Sequence, residues 1–212
     1  MLRRFCAITF FAVLVAILTA PAAQADGAPI LVTLTGVNGS SANGVYTSPY
    51  FATVNGGQGV GIICDDYWHE VYIGESWWAT ANTFSTLDQA RFQGPDSAST
   101  LLMYEEAAFL IEQLALDPGA TNDISFAIWS IFSPGVPSTA NSGWWLAYAQ
   151  SQTYAPGEFA NFEILTPTDS GPGSPQEYLV MVPEPASLPL LGSGLFALGV
   201  FRKRSNRPAQ AS

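Results

Sequence analysis

The chain has 212 residues, 48% of them hydrophobic and only 11% charged, with seven basic and 17 acidic residues and a formal net charge of −10. Arg3 and Arg4 precede the first apolar run, Arg202, Lys203, Arg204 and Arg207 follow the last, and Arg91 alone lies between them. With one positive and 17 negative charges, the stretch from Asp26 to Glu184 carries −16, which repels a phosphate backbone and argues against nucleic acid as a partner. The same stretch lacks lysine, so it offers neither a Schiff-base nucleophile nor an intramolecular Lys–Asn crosslink.

In chain order, Arg3 and Arg4 form a positive start, residues 5–20 are nearly unbroken apolar, and Ala23-Gln24-Ala25 supplies small residues before Asp26. That order predicts a signal peptide over 1–25, with Ala23 and Ala25 at the cleavage site. Its removal takes Cys6 away and leaves Cys64 alone, unable to form an internal disulfide.

Residues 26–182 are long enough for one domain with a sizeable core. Ile30, Val32 and Leu34 alternate with Leu31, Thr33 and Thr35, which predicts a half-buried strand. Turn signals at Asn38-Gly39, Asn43-Gly44 and Asn55-Gly56-Gly57 separate further strands expected over 44–51 and 60–64. Two more are expected over 67–73 and 77–84, around Gly74-Glu75.

The period then changes. Over 100–115 the residues Tyr104, Ala107, Ala108, Ile111, Leu114 and Ala115 share one helical face, and Glu105, Glu106 and Glu112 point away from it. A second helix is expected from Asn122 or Asp123, burying Ile124, Ala127, Ile128 and Ile131, and a third over 142–152. Strand-like composition returns over 159–165 and 178–182, across a flexible loop at 166–175. The predicted class is α+β: an antiparallel β-rich domain with about three central helices packed on one side of the sheet system.

Cys64-Asp65-Asp66-Tyr67-Trp68-His69-Glu70 holds the one cysteine and the one histidine of this stretch, with three carboxylates. On an extended strand Cys64 and His69 face opposite sides, and only a turn at Asp65-Asp66 would pair them as nucleophile and base. The expectation is no catalytic residue, no cofactor and no metal. Asp65, Asp66 and Glu70 are the candidate ligands should a divalent cation bind, although no zinc shell or calcium loop is spelled out. Six tryptophans lie in the body, and of the Trp77-Trp78 and Trp144-Trp145 pairs one member each is expected in the core. Exposed members could stack on sugar rings.

Cys64, followed downstream by Ala127-Ile128-Trp129, resembles the thioester domains of Gram-positive surface adhesins. In those a cysteine precedes a Thr-Gln-x-Ala-Ile-Trp helix, and the thiol bonds the glutamine side chain. Here Ser125 stands where the glutamine would be, and serine has no carboxamide carbon for a thiol to attack.

The tail reads as an address. Val182-Pro183-Glu184-Pro185 is followed by an uncharged run over 186–201 and a basic stop at Arg202, Lys203 and Arg204. Sixteen helical residues span about 24 Å against a hydrocarbon core of about 30 Å, so the run suits a short transmembrane helix used as a temporary anchor. Its positive end stays cytoplasmic. This arrangement, over 183–207 with Val182 opening the motif, resembles the PEP-CTERM sorting signal of Gram-negative bacteria. The resemblance implies an exosortase as processing partner, a transient stay in the inner membrane, and a final place at the cell surface or in the extracellular matrix. The expected function is a non-enzymatic structural or interaction role in the envelope or the exopolysaccharide matrix of a biofilm. Alternatives are a carbohydrate-binding or adhesin module, with polysaccharide as partner, and enzyme or thioester chemistry centred on Cys64.

Overall fold

The computed structural model describes residues 28–182. The expected signal peptide with Ala23 and Ala25, the motif residues Pro183, Glu184 and Pro185, the apolar run and the stop at Arg202, Lys203 and Arg204 lie outside the described residues. Six strands close a barrel: β1 (Pro29–Val37), β4 (Tyr50–Val54), β5 (Gly59–Cys64), β6 (Ser76–Thr83), β7 (Phe162–Pro167) and β8 (Tyr178–Met181). Around the barrel they run β1-β4-β5-β8-β7-β6, and every neighbouring pair is antiparallel. Two short strands, β2 (Ser41–Ala42) and β3 (Val45–Tyr46), form a separate hairpin. Its turn residues Asn43 and Gly44 have φ of 49° and 84°, the pair of positive angles that a tight hairpin turn demands.

The alternation in β1 is as expected: Ile30, Val32 and Leu34 are buried, and Leu31 and Thr33 only half so. The strand expected over 44–51 is divided between β3 and β4. Pro49, without an N–H, cannot donate to a ladder and stands just before β4. The strand expected over 67–73 is absent. Side chains and turns satisfy that segment's backbone instead: the Tyr72 N–H donates to Glu75 Oε2 at 2.9 Å and the Tyr67 N–H to Ser133 Oγ at 3.4 Å.

Three helices follow β6: α1 (Ser97–Leu116), α2 (Thr121–Phe132) and α3 (Ser142–Gln150). Asp96 caps α1 by accepting from the Ser99 N–H at 2.7 Å. The expected faces of α1 and α2 are buried, with three exceptions: Ala115 is exposed, Ile131 is half-buried and Glu106 is buried rather than outward. Glu106 is covered because α3 packs on α1 and brings Gln150 against its carboxyl. A single-face reading of α1 allows for one partner, and α1 has two.

Strand alternation divides the core in two. Ile62, Cys64, Leu165, Tyr178 and Val180 join Ile30, Val32, Leu34 and Ala79 in one cluster, with Phe126 and Trp129 of α2. Ile63, Phe162, Ile164 and Leu179 point the other way and pack under the helices. The helices therefore cover one side of the barrel, over β5, β8 and β7. Among the described residues no helix is long and apolar enough to cross a membrane.

Candidate functional site: the turn after Cys64

β5 ends at Cys64, and the chain turns at once into Asp65 and Asp66. All three residues are buried. The Cys64 N–H donates to Ser48 Oγ at 3.2 Å, and the Ser48 N–H donates to Ser125 Oγ at 3.1 Å. The thiol itself donates to the Asp66 carbonyl at 3.2 Å. Burial pushes the Cys64 thiol well up, and the carboxyls of Asp65 and Asp66 push it further. The Trp129 indole N–H, which has no well-formed hydrogen-bond partner, lies near enough to pull weakly the other way. Because the thiolate is the nucleophilic form, this sulfur is held in its inert state.

The turn at Asp65-Asp66 does form, yet it does not pair His69 with Cys64. His69 Nδ1 meets the Asp66 carboxylate instead, at 2.9 Å from Oδ1 and 2.8 Å from Oδ2. Arg91 reaches the same carboxylate through its guanidinium, which also donates to the Pro175 carbonyl at 2.8 Å and to Ser174 Oγ at 3.1 Å. The one arginine of a strongly acidic, lysine-free stretch is thus spent on a buried acid.

Glu177, also buried, is the third carboxylate here. It accepts from the Tyr104 hydroxyl at 2.6 Å, the Arg91 N–H at 2.8 Å and the Thr166 hydroxyl. Asp65 has no such donors, and neither of its oxygens has an ordinary hydrogen-bond partner. Burial raises its carboxyl well above the usual carboxylate range, and the charges of Glu177 and Asp66 raise it further. Burial raises Glu177 as well, but its donors and Arg91 oppose that. Asp65, which lacks the donors that oppose the rise at Glu177, is the acid whose neutral form the site favours.

The three residues considered as metal ligands are not gathered. Asp65 faces Glu177, Asp66 faces Arg91 and His69, and exposed Glu70 accepts from the Tyr72 hydroxyl at 2.8 Å. Among the described residues no group of three or more His, Cys, Asp or Glu is placed to hold a metal ion. Ser48, Tyr104, Thr166 and Glu177 complete the site without any local signal in the sequence. Arg91, the single arginine of a lysine-free body, is the sequence signal for it. Beside the turn, a cleft of about 590 Å³ is lined by Leu34, Val45, Tyr46, Tyr50, His69 and Trp129, among others.

Val182 closes the domain. Its N–H donates to the Asn161 carbonyl at 2.8 Å, one residue beyond β8. From this residue onward, positions 182–204 match the family model of the PEP-CTERM protein-sorting motif. The chain carries a PEP-CTERM sorting motif. The motif implies processing by an exosortase, association with a membrane and export. It begins where the barrel ends, so β8 reaches the PEP-CTERM motif with no spacer.

No curated protein matches the chain. Among solved structures, the chain is similar to the N-terminal thioester domain of a surface protein from Clostridium perfringens, at 9% identity and a TM-score of 0.44, over 72% of this chain and 98% of that one. It is also similar to the N-terminal thioester domain of the fibronectin-binding protein SfbI from Streptococcus pyogenes. There the identity is 12% and the TM-score 0.43, over 78% of this chain and 100% of that one.

Proposed function

We propose that this is an exported protein of the cell envelope or exopolysaccharide matrix, delivered by its sorting motif, whose barrel domain has a non-enzymatic and non-covalent interaction role. The observation that carries the chemical half is the closed thiol. Cys64 is fully buried, bonded to the Asp66 carbonyl, denied His69, and linked through Ser48 to a serine that cannot form a thioester. The sorting motif carries the location. Extracellular polysaccharide is the favoured partner, since Trp68, Trp78 and Trp144 are exposed and offer flat apolar rings to sugars.

Two measurements test this. Fractionation of strains with and without the exosortase should find the protein at the surface or in the matrix in the first and retained in the membrane in the second. Identical distribution in both strains would refute the sorting role. A thiol reagent should label Cys64 only after unfolding; rapid labelling of the native protein would reopen chemistry at Cys64.

A further inference from the structure

Helix α3 carries a surface feature that the barrel chemistry does not use. Trp144 is 59% exposed and stacks on exposed Tyr148, with ring centroids 5.3 Å apart and planes 24° from parallel. Trp145, half-buried against the helical core, meets Trp144 edge-on at 4.8 Å. These contacts fix Trp144 as a shelf. Beside it lies a hollow of about 580 Å³ lined by Asp117, Gly119, Asp123, Asn141, Trp144 and Trp145, among others.

Its polar groups are already oriented. Asp123 accepts from the Asn141 N–H at 3.0 Å and from Asn141 Nδ2 at 3.1 Å. Asp117 Oδ1 accepts from the Gly119 N–H at 3.2 Å. A carboxylate has about four lone-pair directions, so both acids keep capacity to accept from a ligand's hydroxyls.

We propose that this hollow binds a neutral pyranose of an extracellular polysaccharide, its C–H face laid on Trp144 and its hydroxyls donating to Asp117 and Asp123. A flat apolar platform bordered by fixed acceptors matches a ring that is apolar on its face and rich in donors at its edge. Charge selects within that class. The described residues contain no lysine, and Arg91 is engaged with Asp66, so nothing at the hollow offsets the negative charge of a uronic acid or a sulfated sugar. A cationic ligand would fit the charge, but the shelf offers parallel rings rather than the enclosing faces that hold an ammonium group. This inference rests on the interaction role proposed above and gives it a site.

The test is affinity electrophoresis of the protein purified from its exporting host. Gels would contain neutral polymers (hydroxyethylcellulose, dextran, galactomannan), anionic alginate or cationic polylysine. Retardation by at least one neutral polymer is expected, and it should persist when added salt shrinks the screening length to about 3 Å. Trp144→Ala should weaken it about tenfold or more, as removal of an aromatic anchor does. Trp144→Phe should keep part of it, which separates loss of the ring from loss of the fold. Phe51→Ala, at an exposed position on the barrel strand β4, should leave it unchanged. Retardation by no neutral polymer, preference for alginate or polylysine, or full binding by Trp144→Ala would each overturn the proposal. The sorting motif and the closed thiol would stand in any of those cases, because intact mass and labelling test them separately.

Discussion

Cys64 and Ser125 lie 61 positions apart, on β5 and α2, and Ser48 joins them: its Oγ accepts from the Cys64 N–H at 3.2 Å, and its N–H donates to Ser125 Oγ at 3.1 Å. All three residues are buried, so each partner matters. Ser125→Ala leaves the Ser48 N–H without an acceptor in the core. The expected cost is about 1–3 kcal/mol, read from denaturant unfolding. An unchanged midpoint would mean that the Ser48–Ser125 bond contributes nothing.

Arg91 neutralises Asp66 inside the fold, and a buried pair is weak evidence for stability until one partner is removed. Arg91→Met takes the permanent positive charge from Asp66, leaving His69 as its side-chain partner, and also takes a charge away from Glu177. The loss should be about 3–5 kcal/mol. Double replacement with Asp66→Asn should recover part of it, because the uncompensated charge goes too. If the double variant is as unstable as the sum of the single ones, the coupling between Arg91 and Asp66 is absent.

Asp65 sets an unusual pH dependence. Its carboxyl is raised well above the ordinary carboxylate range by burial and then by the charges of Glu177 and Asp66. Above pH about 4 the unfolded chain loses this proton more readily than the folded chain, whose carboxyl is raised, so stability from this group falls as pH rises. Asp65→Asn keeps the shape and cannot ionise. It should raise the melting temperature at pH 7 and change it little at pH 4. A variant destabilised equally at both would contradict a raised Asp65 carboxyl.

Much of the fold was legible because it rests on local pattern. Alternation in 30–35 and the Asn43-Gly44 turn are set by side-chain period and by φ, and both stand in the structure. The class was legible too, as α+β with three helices. Barrel closure was not, since it depends on β1 meeting β6 and β5 meeting β8, pairings that no local pattern encodes. At the site, Cys64, Asp65, Asp66 and His69 stood together in the sequence, while Glu177 reaches them from over 100 positions away through tertiary structure alone. The missing strand at 67–73 had strand-like residues, but Glu75 and Ser133 take its backbone donors.

Calcium should matter little. Asp65, Asp66 and Glu70 face different partners, so no specific calcium site is expected among them. Sub-millimolar Ca²⁺ at fixed ionic strength should raise the melting temperature by less than about 2 °C. A site at 100 times its Kd would add about 2.7 kcal/mol, or several degrees for a domain of this size. A shift of that size would make these carboxylates ligands.

If processing depends on the motif rather than on hydrophobicity, Glu184→Ala should block tail processing while leaving the apolar run intact. Immunoblotting of an exosortase-positive strain should show the variant accumulating at the larger, unprocessed size. A variant processed as fast as the native chain would mean that Glu184 is not read.

The most direct measurement is the intact mass of the protein isolated from an exosortase-positive host, before and after alkylation in denaturant. The expected species starts at Asp26, lacks residues beyond about Pro185, shows no deficit of one ammonia, about 17 Da, and gains one alkyl group at Cys64 on unfolding. A species that retains the full tail would contradict sorting. One short by about 17 Da, with reactivity restored by methylamine, would contradict the closed thiol and make the domain a covalent adhesin.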